Sequence, residues 1–183
     1  MRLRTKLILG SVAVMAAAVF LATGGFAALS RDTEAPDFKA KTIKGKEFQL
    51  KQLRGRVVLL DFWATWCPPC RQETPELEKL WQKYKDQGLV VIGTALESGG
   101  AQGVSKFAAE NKLSYWLVSD DRGEIAGKYK IRPIPTTYIV DPKGIIRYVQ
   151  VGFGPGAEKD FEKQIKAHLP SAEQLKTLKP LEQ

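Results

Sequence analysis

Cys67 and Cys70 are the two cysteines of the chain, separated by Pro68 and Pro69. Ahead of them runs Val57-Val58-Leu59-Leu60-Asp61-Phe62-Trp63, an apolar stretch led by β-branched residues, which predicts a buried strand. Behind them, within 71–84, Leu77, Leu80, Trp81 and Tyr84 recur at helical offsets, which predicts a helix. The pair therefore lies where a strand hands over to a helix N-terminus. Unpaired backbone N–H groups and the positive end of the helix dipole stabilise a thiolate there. A thiolate is the species that attacks disulfides. Two blander readings compete. A structural zinc site wants four ligands, the pair supplies only two, and the single histidine, His168, lies far along the chain. A purely structural disulfide closing so short a loop would stabilise the fold by only about 2 kcal/mol. Redox chemistry is the better reading, and no metal is expected.

Position within the pair assigns roles. Cys67 stands nearest the helix N-terminus and is expected to be the exposed, attacking thiol. Cys70, one turn in, would resolve the mixed disulfide. Pro68 and Pro69 carry no N–H, so of the amides that could face the Cys67 sulfur the one on Cys70 remains. Compared with a Gly-Pro pair, this should leave the thiolate less stabilised and the disulfide less oxidising. Asp61 is a carboxyl inside an apolar strand. Burial raises its pKa, which suits a proton acceptor for Cys70; a hydrogen-bonded structural aspartate is the alternative. Trp63 reads as core, whereas Trp66, next to Cys67, reads as an apolar contact for a partner.

Asp61-Phe62-Trp63-Ala64-Thr65-Trp66-Cys67-Pro68-Pro69-Cys70 resembles the active-site strand and turn of thioredoxin. The wider pattern resembles the membrane-tethered TlpA/ResA-type thioredoxin-like reductases. It comprises Ala35-Pro36-Asp37-Phe38, Leu53-Arg54-Gly55-Arg56-Val57-Val58, Trp66 through Pro75, and Pro133-Ile134-Pro135-Thr136-Thr137-Tyr138. The resemblance spans roughly Ala35 to Leu169. It implies an α/β thioredoxin fold, with a central mixed sheet and helices on both faces, plus an N-terminal hairpin and a central αβ insertion. It implies that Asp61 matches a buried proton-transfer aspartate, and that Glu97 lies beside the cysteines and tunes their acidity; a surface glutamate is the alternative for Glu97. It implies a cis bond before Pro135, with Ile134, Pro135 and Thr136 pairing with an extended substrate segment. The redox group would be the Cys67–Cys70 pair itself, with no separate cofactor. Partners by resemblance are protein thiols and disulfides, among them the haem-binding cysteines of apocytochrome c, and a membrane electron donor of the DsbD/CcdA kind. A disulfide-forming oxidase, and a non-catalytic binding or Cu(I)-holding module, are the competing readings. Ala64 stands where a thiol peroxidase would carry a threonine.

Residues 1–30 are read as a signal-anchor or signal peptide, 31–170 as the thioredoxin-like domain and 171–183 as a tail. Leu7–Leu29 contains no charge and would reach about 34 Å as a helix, enough for about 30 Å of hydrocarbon. Arg2, Arg4 and Lys6 precede it, which keeps the N-terminus cytoplasmic and exports the rest. Gly25-Phe26-Ala27 offers a cleavage site, though the apolar run exceeds an ordinary signal peptide. The net charge of +8 is spread along the chain without a basic cluster, which suits a surface near anionic lipid better than nucleic-acid binding.

The remaining elements follow in order. Phe38–Leu50 turns at Lys44-Gly45-Lys46 as a hairpin supplying edge strands. Leu89–Leu96 is a second buried strand, Gly103–Asn111 a helix, Leu113–Val118 a strand, and Asp120–Tyr129 a helix with acids at its start. Thr136–Asp141 and Ile145–Val151 form an antiparallel pair, and Ala157–Leu169 is a helix. Beyond Pro170 the tail reads as either a frayed helix or disorder.

Overall fold

The computed structural model describes residues 28–97 and 99–181. The expected Leu7–Leu29 segment lies almost wholly outside them, and among the described residues no helix is long and apolar enough to cross a membrane. The strand that leads to the cysteines is the middle of a five-stranded sheet. With β1 (Lys39–Lys41) and β2 (Glu47–Gln49) ahead of it, this strand is β3 (Val57–Trp63), buried along its whole length. Burial on both faces is why it reads as a continuous apolar run. The other strands are β4 (Leu89–Ala95), β5 (Trp116–Ser119), β6 (Thr136–Val140) and β7 (Ile146–Val151), in the order β5-β4-β3-β6-β7. β3, β4 and β5 are parallel, while β6 and β7 join antiparallel.

Side-chain alternation along β3 divides the core in two. Val57, Leu59 and Trp63 pack with Leu77 and Trp81 of α1 (Pro68–Tyr84), Phe107 of α2 (Gly100–Glu110) and Phe161 of α4 (Ala157–His168). Val58, Leu60 and Phe62 point the other way, onto Phe38, Phe48, Tyr129, Tyr138 and Ile125 of α3 (Glu124–Lys128). Each such side chain contributes about 1.5–3 kcal/mol when fully buried, and truncating Phe62 to alanine would cost about 3–5 kcal/mol. Helices on both faces of a mixed sheet are the expected thioredoxin arrangement.

Two expectations change, and the tail settles on one of its two alternatives. The hairpin forms its own two-stranded sheet instead of edge strands; it touches the main sheet where Ile43 N–H donates to the Leu117 carbonyl at 2.8 Å. Its anchor is aromatic, Phe48 lying 5.0 Å from the Trp116 ring. The helix expected from Asp120 begins at Glu124, because Asp120 stands outside it and accepts the N–H groups of Ile125 and Ala126, the latter at 2.8 Å. The tail carries a short helix, α5 (Ala172–Lys176), begun by a capping box between Ser171 and Gln174. It is then strapped down: Arg56 donates to the Lys179 carbonyl, and Leu178 packs over Gly55, where any Cβ would collide with it.

Candidate active site

Cys67 is the N-cap of α1, in an extended conformation, and the Cys70 N–H points at its sulfur from 3.4 Å. Pro68 and Pro69 fill the first two helical positions, where an N–H would have had no helical acceptor. The two cysteines are joined as a disulfide, with Cα atoms 5.3 Å apart. Cys67, expected to be exposed, is buried at 3 % exposure because the disulfide and the loop before Pro135 cover it, and Cys70 is fully buried, so Cys67 is the more accessible of the two by only a sliver of surface. The Ile134–Pro135 bond is cis, and the Ile134 carbonyl lies 3.9 Å from the Cys67 sulfur. Pro135 is buried, its carbonyl accepting from Gly152 N–H at 2.8 Å, and the Thr136 hydroxyl turns inward onto the Pro133 carbonyl. Half-buried Ile134 and 66 % exposed Trp66 are left as the apolar surface on either side of the disulfide. Pro68 is exposed between them.

Beneath the disulfide lies a polar row in an apolar face. Across the sheet, Asp61 stands between Gly93 on β4 and Thr137 on β6. Glu73, also fully buried, comes from α1, and the Thr137 hydroxyl donates its one proton to Glu73 Oε1 at 2.6 Å. Both Asp61 oxygens are then without a protein partner. Burial, and next the charge of Glu73, hold the Asp61 carboxyl well above the usual range, against the pull of the nearby Thr137 hydroxyl. Burial also lifts Glu73, to about 7, with the Thr137 hydrogen bond pulling the other way. Two acids so close cannot easily both ionise, so they titrate as a pair.

Glu97 is placed differently. It is half-buried, and its Oε1 accepts the Thr65 N–H at 2.5 Å, bracing the turn that leads into Cys67. The carboxyl paired with Asp61 is therefore Glu73, to which the sequence analysis assigns no role. A signal was present. Cys70, Glu73, Leu77, Leu80 and Tyr84 are spaced at helical offsets, so Glu73 falls within the buried stripe of α1. Among the described residues no group of three or more His, Cys, Asp or Glu is placed to hold a metal ion.

A disulfide at a helix N-terminus, a cis-proline loop against it and buried acids behind it define a thioredoxin-fold thiol–disulfide oxidoreductase. The chain belongs to the AhpC/TSA family, whose model matches residues 32–149. It is similar to the thioredoxin-like protein YneN of Bacillus subtilis, 44 % identical over 121 residues, covering 65 % of this chain and 70 % of that one. It is also similar to the thiol-disulfide oxidoreductase ResA of Geobacillus kaustophilus, 33 % identical over 144 residues, covering 78 % and 80 %. Among solved structures, a thioredoxin-family thiol:disulfide interchange protein of Chlorobium tepidum superposes with a TM-score of 0.67 at 28 % identity, covering 77 % of this chain and 99 % of that one.

Proposed function

We propose that the protein is an exported reductant of protein disulfides. The observation that carries this reading is the position of Asp61 and Glu73: buried carboxyls behind a dithiol raise thiol pKa values, which disfavours the thiolate and makes the dithiol a stronger reductant. Reduced Cys67 attacks the substrate disulfide, one substrate sulfur leaving as thiolate while a mixed disulfide forms at Cys67. Cys70 gives its proton to the acid pair through Asp61 and attacks the Cys67 sulfur, releasing the second substrate sulfur and restoring the Cys67–Cys70 disulfide. Trp66, Pro68, Pro69 and Ile134 form the surface against which an extended substrate lies, and buried Pro135 and Thr136 hold the loop beneath it. Substrates of the apocytochrome c type, with two nearby cysteines in an unfolded segment, suit such a surface. A membrane dithiol donor of the DsbD/CcdA kind would re-reduce the pair, and an N-terminal anchor in the cytoplasmic membrane would hold the domain outside.

Insulin reduction with dithiothreitol as electron source, together with the equilibrium potential against glutathione, tests the reading. Catalysed reduction and a potential below that of the glutathione pool are expected. A potential well above it would make the protein an oxidase, and no turnover would make it a binding module. In the same assay Cys70→Ser should accumulate mixed disulfides and Cys67→Ser almost none; equal trapping would reverse the assigned roles.

A further inference from the structure

Two buried donors and three buried acceptors lie unpaired around one point of the sheet. The donors are the Trp63 indole N–H and the Tyr115 hydroxyl; the acceptors are both oxygens of Asp61 and Glu73 Oε2. All four residues are at most 2 % exposed. Gly93 fixes where they meet. It is the β4 register partner of Asp61, and a Cβ there would stand 2.8 Å from Leu117 Cδ2 and 3.0 Å from both Trp63 Nε1 and Tyr115 Cε2. Only a glycine lets both rings close over the residue beside Asp61. Buried polar groups in folded proteins are almost always satisfied, by protein or by ordered water, because an unpaired one costs about 1–3 kcal/mol. Here the donors are on the β4–β5 side of Asp61, while Thr137 on the β6 side is committed to Glu73.

Resting on the dithiol reading above, we infer that Tyr115, with Trp63 beside it, is a positioning residue that donates across Gly93 to the Asp61 carboxylate through an enclosed water, and so sets how readily Asp61 gives up and takes back the proton it exchanges with Cys70. The reciprocal effect is present at the phenol: burial, and then the charge of Asp61 ahead of Glu73 and Glu78, hold Tyr115 well above its ordinary pKa. The titratable groups around this point are Asp61 from β3, Glu73 and Glu78 from α1, and Tyr115 itself, with Cys70 above. β4 and β6 present Gly93 and Thr137, which do not titrate. Among the described residues no lysine or arginine acts on Asp61, and what opposes the burial of its charge is the nearby Thr137 hydroxyl, which Glu73 also engages, so hydrogen-bond donors are the means of stabilising that charge.

Tyr115→Phe keeps the ring and removes the donor. Difference infrared spectroscopy of the carboxyl stretch in the oxidised protein, followed against pH, reads the acid pair directly. The variant should move the Asp61 midpoint upward by about one pH unit, and the pH profile of mixed-disulfide release should move with it while the attack by Cys67 is unchanged. In an Asp61→Asn background the same substitution should move nothing. Superimposable titrations of wild type and Tyr115→Phe, or an equal shift with and without Asp61, would overturn the inference. Wild-type protein carrying ζ-carbon-labelled tyrosine gives a second reading should the variant not fold: the Tyr115 resonance must follow the carboxyl midpoint, and a flat response overturns the proposal. The oxidised protein titrates without turning over. Absence of insulin reduction by the wild type would defeat the function proposed above and leave this measurement standing.

Discussion

Asp61, in the middle of β3, and Asp141, just past β6, are 0 % and 7 % exposed, yet the fold treats them in opposite ways. Asp141 Oδ1 accepts the N–H groups of Lys143 and Ile145, each at 2.9 Å, and its Oδ2 accepts Arg147 Nε at 2.8 Å. Burial alone would raise its pKa, but those bonds outweigh it and hold the carboxyl below the usual range. Asp61 has burial and a second acid beside it, opposed only by the pull of the Thr137 hydroxyl that Glu73 also engages. A turn that must keep its shape gives its aspartate every donor it can use. A site that must pass a proton leaves its aspartate short of them.

The comparison can be broken at several points. The largest effect is expected at Asp61: Asp61→Asn should slow release of the mixed disulfide by about 10²-fold, the ordinary contribution of a positioned general base. Formation of the mixed disulfide should hardly change; stopped-flow kinetics with both steps unaltered would leave Asp61 a structural role. Next is Glu73. An acid whose folded pKa is raised keeps its proton over a range where the unfolded chain has lost it, so its contribution to stability is fully present below the unfolded value and declines as pH rises from 4.5 to about 7. Glu73→Gln should therefore be more stable than wild type by up to about 3 kcal/mol at pH 8 and equal to it at pH 4, as read by urea denaturation.

The sign reverses at Asp141. Its folded pKa is depressed, so Asp141→Asn should cost about 1–2 kcal/mol at neutral pH, and the difference should shrink as pH falls below about 4. Equal pH slopes for the Glu73 and Asp141 variants would erase the contrast between the two regions. The smallest effect belongs to Glu97. Glutamine preserves the acceptor for Thr65 N–H, so Glu97→Gln should move the pH midpoint of Cys67 alkylation by about half a unit or less. A shift near a full unit would place the Glu97 charge against the sulfur.

Much of this was legible in the chain because the signals are local. β3 announces itself through an unbroken apolar run, α1 through its stripe, and the disulfide through two cysteines at a strand–helix junction. The cis bond before Pro135 was expected from resemblance alone. Glu73 was overlooked since a charged residue in an apolar stripe is ordinarily discounted, although here its offset from Cys70 was the informative feature. The tail was unreadable for a different reason. Its contacts, Arg56 with Lys179 and Leu178 over Gly55, join residues far apart in sequence. The hairpin likewise looks like an edge until Phe48 is seen against Trp116.

Clasps near both ends of the described chain gather at one end of the sheet. Asp32 and Ala35 bond to Ile146 and Gly144 at the start of β7, and Lys179 is held by Arg56 just before β3 begins. The cysteines follow the far end of β3, whose seven residues span about 20 Å. A load applied at Asp32 or at Lys179 thus pulls from the heel of the molecule and leaves its toe free. Held at those two points, the domain would present its disulfide outward, like a fingertip on a short arm.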